Sequence, residues 1–305
     1  MAELKPLCRE DGVTQSILSS WCSCRTRCRY ELDGWQDTRP KDALAFGTLW
    51  HWFLEQNYGA IINGAKKPID FRVLEQKYLD ATLGRNSNPE AMERYMAMAS
   101  ALYDVYWLHW KQDFRRKWEG AECQFDVNWN TFRLRGMRDG LYRFKKQTWL
   151  LETKTTGRID EYTLTDALAF NFQNLFYIVA SEEELGKPIA GVMYNVVCKP
   201  QLRQGKAESL VNFAKRMRDD VSFRPRRYFV RFECTYPEVV KQRFREELAN
   251  KLTDFWEWVD GKLATYRNEQ ACICRWTCEF LAACANNDLA GYVRTRELFG
   301  ELGGR

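Results

Sequence analysis

Apolar residues recur every three or four positions over several long stretches of the chain, which is the spacing of amphipathic helices. The stretches with this spacing are residues 13–33, 42–58, 70–117, 163–184 and 237–267. Met, Tyr and Trp side chains supply the apolar positions of residues 92–110, and a stripe of this kind is typical of a helix packed in a core. We therefore expect helices at both ends of the chain and again near its middle.

Between the helical stretches, apolar and polar residues alternate in short runs separated by turn residues, which is typical of strands. Four such runs follow one another closely and predict an antiparallel meander: Glu122–Trp129, Thr131–Gly136, Arg138–Phe144 and Thr148–Lys154. Two later apolar runs, Gly191–Cys198 and Tyr228–Cys234, predict buried strands. The mixture of helices and strands in this order predicts an α+β fold.

Length and composition exclude several classes of protein. The chain has 305 residues, enough for a large core, and its 14% aromatic content excludes low-complexity disorder. Its mean hydropathy is −0.53, and no apolar run approaches the roughly 18 residues of a membrane span. The first eleven residues have no signal-peptide core, so we expect a cytoplasmic protein. A net charge of +5 is compatible with a polyanionic partner but does not require one.

Most of the eleven cysteines lie in two groups at opposite ends of the chain. The groups are Cys22, Cys24 and Cys28, and Cys272, Cys274, Cys278 and Cys284. In a reducing compartment such thiols stay reduced or bind metal. The two groups therefore indicate one shared metal or cluster site that joins the two terminal segments.

Glu152 and Lys154 follow the apolar run 149–151 and lie two residues apart, so they project from the same face of a strand. If 138–144 and 148–154 form a hairpin, Asp139 comes opposite that end. Two carboxylates beside a lysine suit metal-assisted phosphodiester hydrolysis, because Asp and Glu bind Mg²⁺ or Mn²⁺ and the lysine offsets developing negative charge. A surface salt bridge is the alternative interpretation of the Glu-x-Lys pair.

The arrangement Asp139…Glu152-x-Lys154 resembles the core motif of the PD-(D/E)xK nuclease superfamily. Upstream, Gly47-x3-His51-x3-Glu55 resembles the helix motif of its RecB-like branch, and Gln173-x3-Tyr177 resembles the Q-x3-Y motif of the same branch. The resemblance implies a restriction-endonuclease-like core, with a central mixed sheet flanked by helices.

The cysteines resemble those of the iron–sulfur members of the branch, which include CRISPR-associated RecB-like exonucleases, AddB-type recombination nucleases and phage-encoded relatives. Ser16-x4-Trp21-x2-Cys24 resembles their N-terminal segment, and Cys272-x5-Cys278-x5-Cys284 resembles their C-terminal tail. The resemblance therefore covers Ser16 to Cys284, nearly the whole chain. Bacterial origin or a phage gene expressed in the host cytoplasm would fit it.

Carried over to this chain, the resemblance implies that His51, Asp139, Glu152 and the carbonyl of Thr153 bind Mg²⁺ or Mn²⁺. Lys154 becomes the catalytic lysine that positions or activates the attacking water. Gln173 and Tyr177 hold the substrate backbone or order the site.

Glu55 and His109 lie outside that set, and only Glu55 has more than one interpretation. Glu55 is either a ligand through water or part of a helical ion pair. The second histidine, His109, lies in an apolar aromatic run and is expected to be structural.

The resemblance implies a 4Fe-4S cluster on Cys24, Cys272, Cys278 and Cys284, with a mainly structural role. Four thiolates suit a structural zinc equally well by chemistry alone. Cys22, Cys28 and Cys274 compete with these ligands, and Arg25 stands where the related proteins commonly have proline.

The resemblance also implies three segments. Residues 1–45 form an N-terminal helical segment, 46–235 the nuclease core with a helical insertion at about 70–117, and 236–305 the C-terminal helix and cysteine-rich segment. Basic side chains at 115–117, 145–146 and 224–227 are candidates for contact with nucleic acid.

The expected activity is a metal-dependent DNA exonuclease that prefers single-stranded ends, with recombination, repair or CRISPR-adaptation proteins as candidate partners. A motor would have to be such a partner, because the sequence has no G-x4-GK[ST] motif. The alternatives are a non-catalytic nucleic-acid-binding module with an iron–sulfur or zinc site, and a subunit active only within a larger complex.

Overall fold

A mixed β-sheet forms the centre of the protein, and the computed structural model describes it within residues 7–38, 42–82, 88–273, 277–295 and 297–302. The strands are β1 (Val13–Thr14), β2 (Trp35–Asp37), β3 (Lys117–Trp129), β4 (Phe132–Phe144), β5 (Gln147–Thr156), β6 (Ile189–Cys198), β7 (Phe229–Cys234) and β8 (Tyr292–Arg294). The helices are α1 (Gln15–Ser23), α2 (Arg25–Leu32), α3 (Asp42–Ile62), α4 (Phe71–Ala81), α5 (Pro89–His109), α6 (Glu161–Leu168), α7 (Phe172–Leu185), α8 (Leu210–Phe223), α9 (Pro225–Tyr228), α10 (Glu238–Val259), α11 (Glu269–Ile273) and α12 (Leu281–Asn286).

The long strand β4 organises the main sheet. β3 pairs with it antiparallel along nearly its whole length. Its other edge is divided between β1, which pairs with it in parallel at Leu134 and Arg135, and β5, which pairs antiparallel from Gly140 to Phe144. β6 then adds in parallel to β5, and β7 antiparallel to β6. The predicted α+β fold with a mixed central sheet is confirmed.

Helices cover both faces of the sheet, because its central strands are apolar on both sides. Leu150 and Val192 face a layer built from α1, α7 and α10. Trp149, Leu151 and Met193 face the opposite layer, in which α3, α4 and α5 lie. Adjacent strand residues point to opposite faces, so a single run such as 149–151 contributes to both cores.

Two of the predicted helices are divided and a third is shorter than expected. Residues 13–33 form β1, α1 and α2 rather than one helix, with Cys24 extended between the helices at φ −160° and ψ 113°. Residues 163–184 divide into α6 and α7, each with its own N-cap, because Asp160 and Asn171 accept hydrogen bonds from the first turns. The last long helix ends at Val259 instead of 267, followed by Gly261 at φ +79°.

The predicted strands agree better with the structure. The runs 131–136 and 138–144 are one continuous strand, β4, and β3 begins five residues earlier than expected, at Lys117. The expected helical stretch 70–117 therefore ends at His109 and contains α4 and α5. The strands expected at 191–198 and 228–234 are confirmed as β6 and β7.

The N-terminal and C-terminal segments contact each other directly. β2 pairs antiparallel with β8, and Asn268 Nδ2 donates to the carbonyl of Ser23 at 2.9 Å. The guanidinium of Arg25 lies between the rings of Trp21 and Tyr266, at 5.0 and 4.6 Å from their centroids. We call these contacts the terminal junction.

None of the helices in the described ranges combines the length and the apolar character that crossing a membrane needs.

Candidate active site

The predicted acidic cluster lies where β4 and β5 stop pairing. Their ladder ends at Gly140 and Leu151, so the next amides of β5 no longer face a carbonyl of β4. The backbone N–H of Thr153 instead donates to Asp139 Oδ2 at 2.5 Å. Asp139 is thereby fixed beside the end of β5, as the predicted hairpin requires.

His51 approaches the same point from α3. Its Nε2 lies 3.1 Å from the carbonyl oxygen of Thr153, and its Nδ1 lies 3.6 Å from Asp139 Oδ1. Gly47, one turn earlier, lets the helix come this close, since a Cβ there would lie 3.3 Å from Thr155 Oγ1. The histidine and the strand carboxylates therefore share one site.

Glu122 is a site residue that sequence reasoning missed. It lies on β3 between the pairs Ala121–Gly140 and Cys123–Arg138, and so opposite Asp139. Its Oε1 is 3.4 Å from His51 Nδ1, and its backbone has a φ of +46°, which is strained for a residue other than glycine. His51, Glu122 and Asp139 each offer a ligand atom within 4.8 Å of the others.

Glu152 and Lys154 complete the site. Lys154 Nζ lies 2.5 Å from Glu152 Oε1, and the glutamate side chain is only 3% exposed whereas the lysine is 44% exposed. Within the described part of the chain, the second oxygen of Glu152 is buried without a hydrogen-bond partner. A buried carboxylate oxygen of this kind is costly unless a cation or a donor meets it.

The electrostatics of the site favour additional positive charge. Burial and the neighbouring Asp139 raise the pKa of Glu152 to about 7, and burial raises the pKa of Asp139. Burial lowers the pKa of His51, but Asp139 and Glu122 outweigh burial and raise it to about 9. The raised pKa values of the acids reflect burial together with neighbouring carboxylates, and the raised pKa of His51 reflects the carboxylates, so a cation would be stabilised in this site.

Residues 13–285 match the sequence profile of the PD-(D/E)XK nuclease superfamily. The chain belongs to this superfamily. A divalent-metal site is expected of such a nuclease, and the group formed by His51, Glu122 and Asp139 fits one.

The fold of this nuclease is also similar to solved structures. It resembles a candidate exonuclease from Eubacterium rectale with a TM-score of 0.51, at 8% identity, over 97% of this chain and 94% of that one. SSO0001 is less similar, with a TM-score of 0.34 at 14% identity over 92% and 88% of the two chains. At 8% identity the likeness to the Eubacterium rectale protein concerns the fold alone. No curated protein matches the sequence.

The helix α7 brings Gln173 and Tyr177 of the nuclease to the acidic cluster. The Tyr177 ring packs edge-on against Phe125 at 5.5 Å, and Gln173 forms a hydrogen bond with its hydroxyl. Burial and the charges of Glu152 and Asp139 raise the pKa of Tyr177. The two residues therefore lie together on the side of the site that α7 covers.

Another tyrosine near the cluster, Tyr194, was not expected from the sequence. It pairs with Glu152 across β5 and β6, and burial together with the carboxylates of the site raises its pKa although Lys154 opposes this. Its position depends on the parallel pairing of two strands that are distant in sequence.

Glu55 and His109 lie outside the group of metal-ligand atoms. Glu55 lies one turn beyond His51 on α3. His109 ends α5 with its ring against Trp110 and Phe229, at 4.4 and 5.9 Å between centroids.

Cys24, Cys272 and Cys284 line one cavity of about 1120 Å³. Burial raises the pKa of the Cys284 thiol, as do the nearby thiols of Cys278, Cys24 and Cys272, so the four lie in one neighbourhood. No three described cysteine sulfurs come within 4.8 Å of one another.

The competing cysteines differ in their surroundings. Cys28 is buried in the core beside α1, and its thiol donates to the carbonyl of Ile17 at 3.8 Å. Cys22 is exposed, and Cys274 lies outside the described residues.

Proposed function

We propose that this protein is a metal-dependent deoxyribonuclease that hydrolyses phosphodiesters at single-stranded DNA ends. The observation that carries the proposal is the buried, unpartnered oxygen of Glu152 beside Asp139 and His51, with Lys154 at the solvent-exposed edge. A protein that only binds nucleic acid does not require a buried carboxylate oxygen that lacks a hydrogen-bond partner. Superfamily membership supports hydrolysis, and the preference for DNA ends rests on the motif resemblance.

The donor set fits Mg²⁺ or Mn²⁺, because oxygen ligands predominate over the single imidazole. Of the implied ligands, His51 and Asp139 form one group with Glu122 within 4.8 Å, whereas Glu152 lies outside that group. We propose that these four side chains and the Thr153 carbonyl would hold the metal. When bound, the metal polarises the phosphate and lowers the pKa of its water.

The protein's own groups supply the remaining functions. Glu152 holds the ammonium of Lys154 by an ion pair, so the lysine is aimed at the site while nearly half of it is open to solvent. From there it offsets charge that develops on the phosphate and orients the attacking water. Gln173 and Tyr177, which lie near the carboxylates, would hold the substrate backbone or order the site.

The test is Mn²⁺-dependent digestion of end-labelled linear and circular single-stranded DNA by anaerobically purified protein. Lys154→Ala removes the proposed catalytic lysine. Lys187→Ala is the matched control, because Lys187 forms a surface ion pair with Glu119 at 3.6 Å. Degradation of linear DNA by wild type and the control, but not by Lys154→Ala, supports the proposal.

Other results of this assay contradict parts of the proposal. Cleavage of circular DNA would add endonuclease activity. If folded wild-type protein degrades no DNA, the protein is a binding module or requires a partner. If Lys154→Ala is as active as wild type, Lys154 has no catalytic role.

We further propose that Cys24, Cys272, Cys278 and Cys284 hold a 4Fe-4S cluster beside the terminal junction. The motif resemblance favours iron–sulfur over zinc, and Cys24, Cys272 and Cys284 line one cavity there. The extended backbone of Cys24 breaks the helix and turns this residue towards the C-terminal segment.

Metal analysis tests the cluster. Anaerobically purified wild type should contain about four iron atoms per chain. Cys278→Ser should lose them, whereas Cys22→Ser should keep them because Cys22 is not among the proposed ligands. Zinc in place of iron would contradict the cluster, and iron retained in Cys278→Ser would contradict the ligand assignment.

A further inference from the structure

A network of buried polar side chains lies on the α3–α5 side of the sheet, behind the candidate active site. At its centre Arg231 of β7 forms two hydrogen bonds with the carboxylate of Asp113, at 2.8 and 2.7 Å. The side chains are 4% and 0% exposed. The same guanidinium contacts the hydroxyls of Tyr58 and Tyr106 at 3.2 and 3.1 Å.

Asn195 connects this ion pair to the next strand. Arg231 Nε donates to Asn195 Oδ1 at 3.0 Å, and Asn195 Nδ2 donates to the Tyr106 hydroxyl at 3.0 Å and to Thr153 Oγ1 at 3.2 Å. A guanidinium can only donate, so it fixes the amide oxygen of Asn195 on its own side. The amide nitrogen must then point to Thr153.

Thr153 is the residue on which two parts of the active site depend. Its N–H holds Asp139 and its carbonyl meets His51. It pairs with Asn195, and Asn195 pairs with Arg231, so the three residues form one row across β5, β6 and β7. A shift of Thr153 would therefore move a carboxylate and alter the contact of an imidazole.

We propose that Asn195 is a positioning residue that fixes Thr153, and through it Asp139 and His51, for metal binding. The proposal rests on the proposed metal site. Removing a residue that orients metal ligands typically weakens metal affinity about tenfold to a hundredfold. Buried polar groups that served stability alone could be replaced by apolar residues at little cost. The network therefore has a function besides stability, which is to orient Thr153 through Asn195.

Mn²⁺ binding measured by electron paramagnetic resonance tests the proposal without reference to activity. Asn195→Leu removes the amide, and Thr153→Val removes only the hydroxyl that accepts from it. Tyr58→Phe is the control, because Tyr58 contacts Arg231 and Asp113 while the Asn195–Thr153 bond stays intact. We expect Mn²⁺ to bind about tenfold or more weakly to the first two variants and about equally to the control.

The two changes act on one hydrogen bond, so the double variant should bind Mn²⁺ no more weakly than Asn195→Leu alone. If Asn195→Leu fails to fold, Thr153→Val decides, since it leaves the bonds of Asn195 to Arg231 and Tyr106 in place.

If Thr153→Val and folded Asn195→Leu both bind Mn²⁺ with wild-type affinity, the inference is overturned. It is also overturned if Tyr58→Phe loses as much Mn²⁺ affinity as they do, because that would indicate general destabilisation. If wild type itself binds no Mn²⁺, the proposed metal site fails and the inference fails with it.

Discussion

Replacing Arg231 by methionine should test how much the buried ion pair contributes to the stability of the fold. Asp113 would lose two charge-assisted hydrogen bonds but keep those from the Tyr58 hydroxyl at 2.9 Å and Arg116 at 3.1 Å. Breaking a buried pair costs about 3–5 kcal/mol, and the remaining partners place Asp113 near the lower limit, about 3 kcal/mol. Asn195 Oδ1 also loses its donor, at about 1 kcal/mol. The expected loss is therefore about 4 kcal/mol.

Removing both charges should reverse most of this loss. In Asp113→Leu with Arg231→Met, the carboxylate that has lost its main cationic partner is absent as well, and apolar side chains replace a buried pair at little or no net cost. We therefore expect the double variant to be more stable than Arg231→Met alone. Arg143→Met is the matched control, because Arg143 is 45% exposed in an ion pair with Glu119 and should change stability by less than about 1 kcal/mol.

Urea denaturation followed by tryptophan fluorescence, with a thiol reductant present, gives the free energy of unfolding from the midpoint and slope. A loss below about 1 kcal/mol in Arg231→Met would refute the reasoning, because it would mean that Asp113 is solvated or otherwise neutralised. A double variant no more stable than the single one would show that the loss comes from packing rather than charge.

Three further predictions concern a close contact in the sheet, a metal ligand and the effect of bound metal on stability. Gly191→Ala should lower the urea midpoint strongly, because a Cβ there would lie 2.3 Å from the carbonyl oxygen of Cys234. Gly59→Ala in α3 is the control: its Cβ meets no atom within 4 Å, so the urea midpoint should stay unchanged or rise. Glu122→Gln should weaken Mn²⁺ binding in a calorimetric titration, since its carboxylate lies 3.4 Å from His51; equal affinity would exclude Glu122 as a ligand. Mn²⁺ at a hundred times its dissociation constant should stabilise the protein by about 2.7 kcal/mol, seen as a higher melting temperature that EDTA reverses.

The sequence allowed the core of the site to be predicted because its residues follow local rules. The apolar run 149–151 marks a strand buried on both faces, so a charged pair at its end indicates an unusual environment. The hairpin turn at 145–146 brings Asp139 towards Glu152. The helical spacing of Gln173 and Tyr177 places them together, and the structure brings both near the carboxylates.

Glu122 could have been found by extending the same reasoning to the preceding hairpin. β3 and β4 are joined at Asn130, and Trp129 pairs with Phe132. Counting back from that turn places Glu122 opposite Asp139. Its positive φ follows the irregularity of β3 between Trp118 and Gly120, and no local residue pattern predicts it.

Long-range pairing explains what the sequence could not predict. The contact between Asn195 and Thr153 depends on parallel strands joined through two helices, and strand order is not encoded in a local pattern. The break at Cys24 likewise lies within a stretch of helical periodicity, where contacts such as that of Asn268 with Ser23 override it.

The terminal junction can form only late in protein synthesis. Asp37 pairs with Tyr292, about 255 residues later, which at roughly 5–20 residues per second takes about 13 to 51 s on the ribosome. The delay is nearly as long between the synthesis of Trp21 and that of Phe255 and Trp258, whose rings pack against it in the folded protein. The nascent chain thus completes the segment from His51 to Tyr177 while its first helix still exposes an aromatic surface. A chain released after β7 should therefore aggregate even though every proposed catalytic residue has been made.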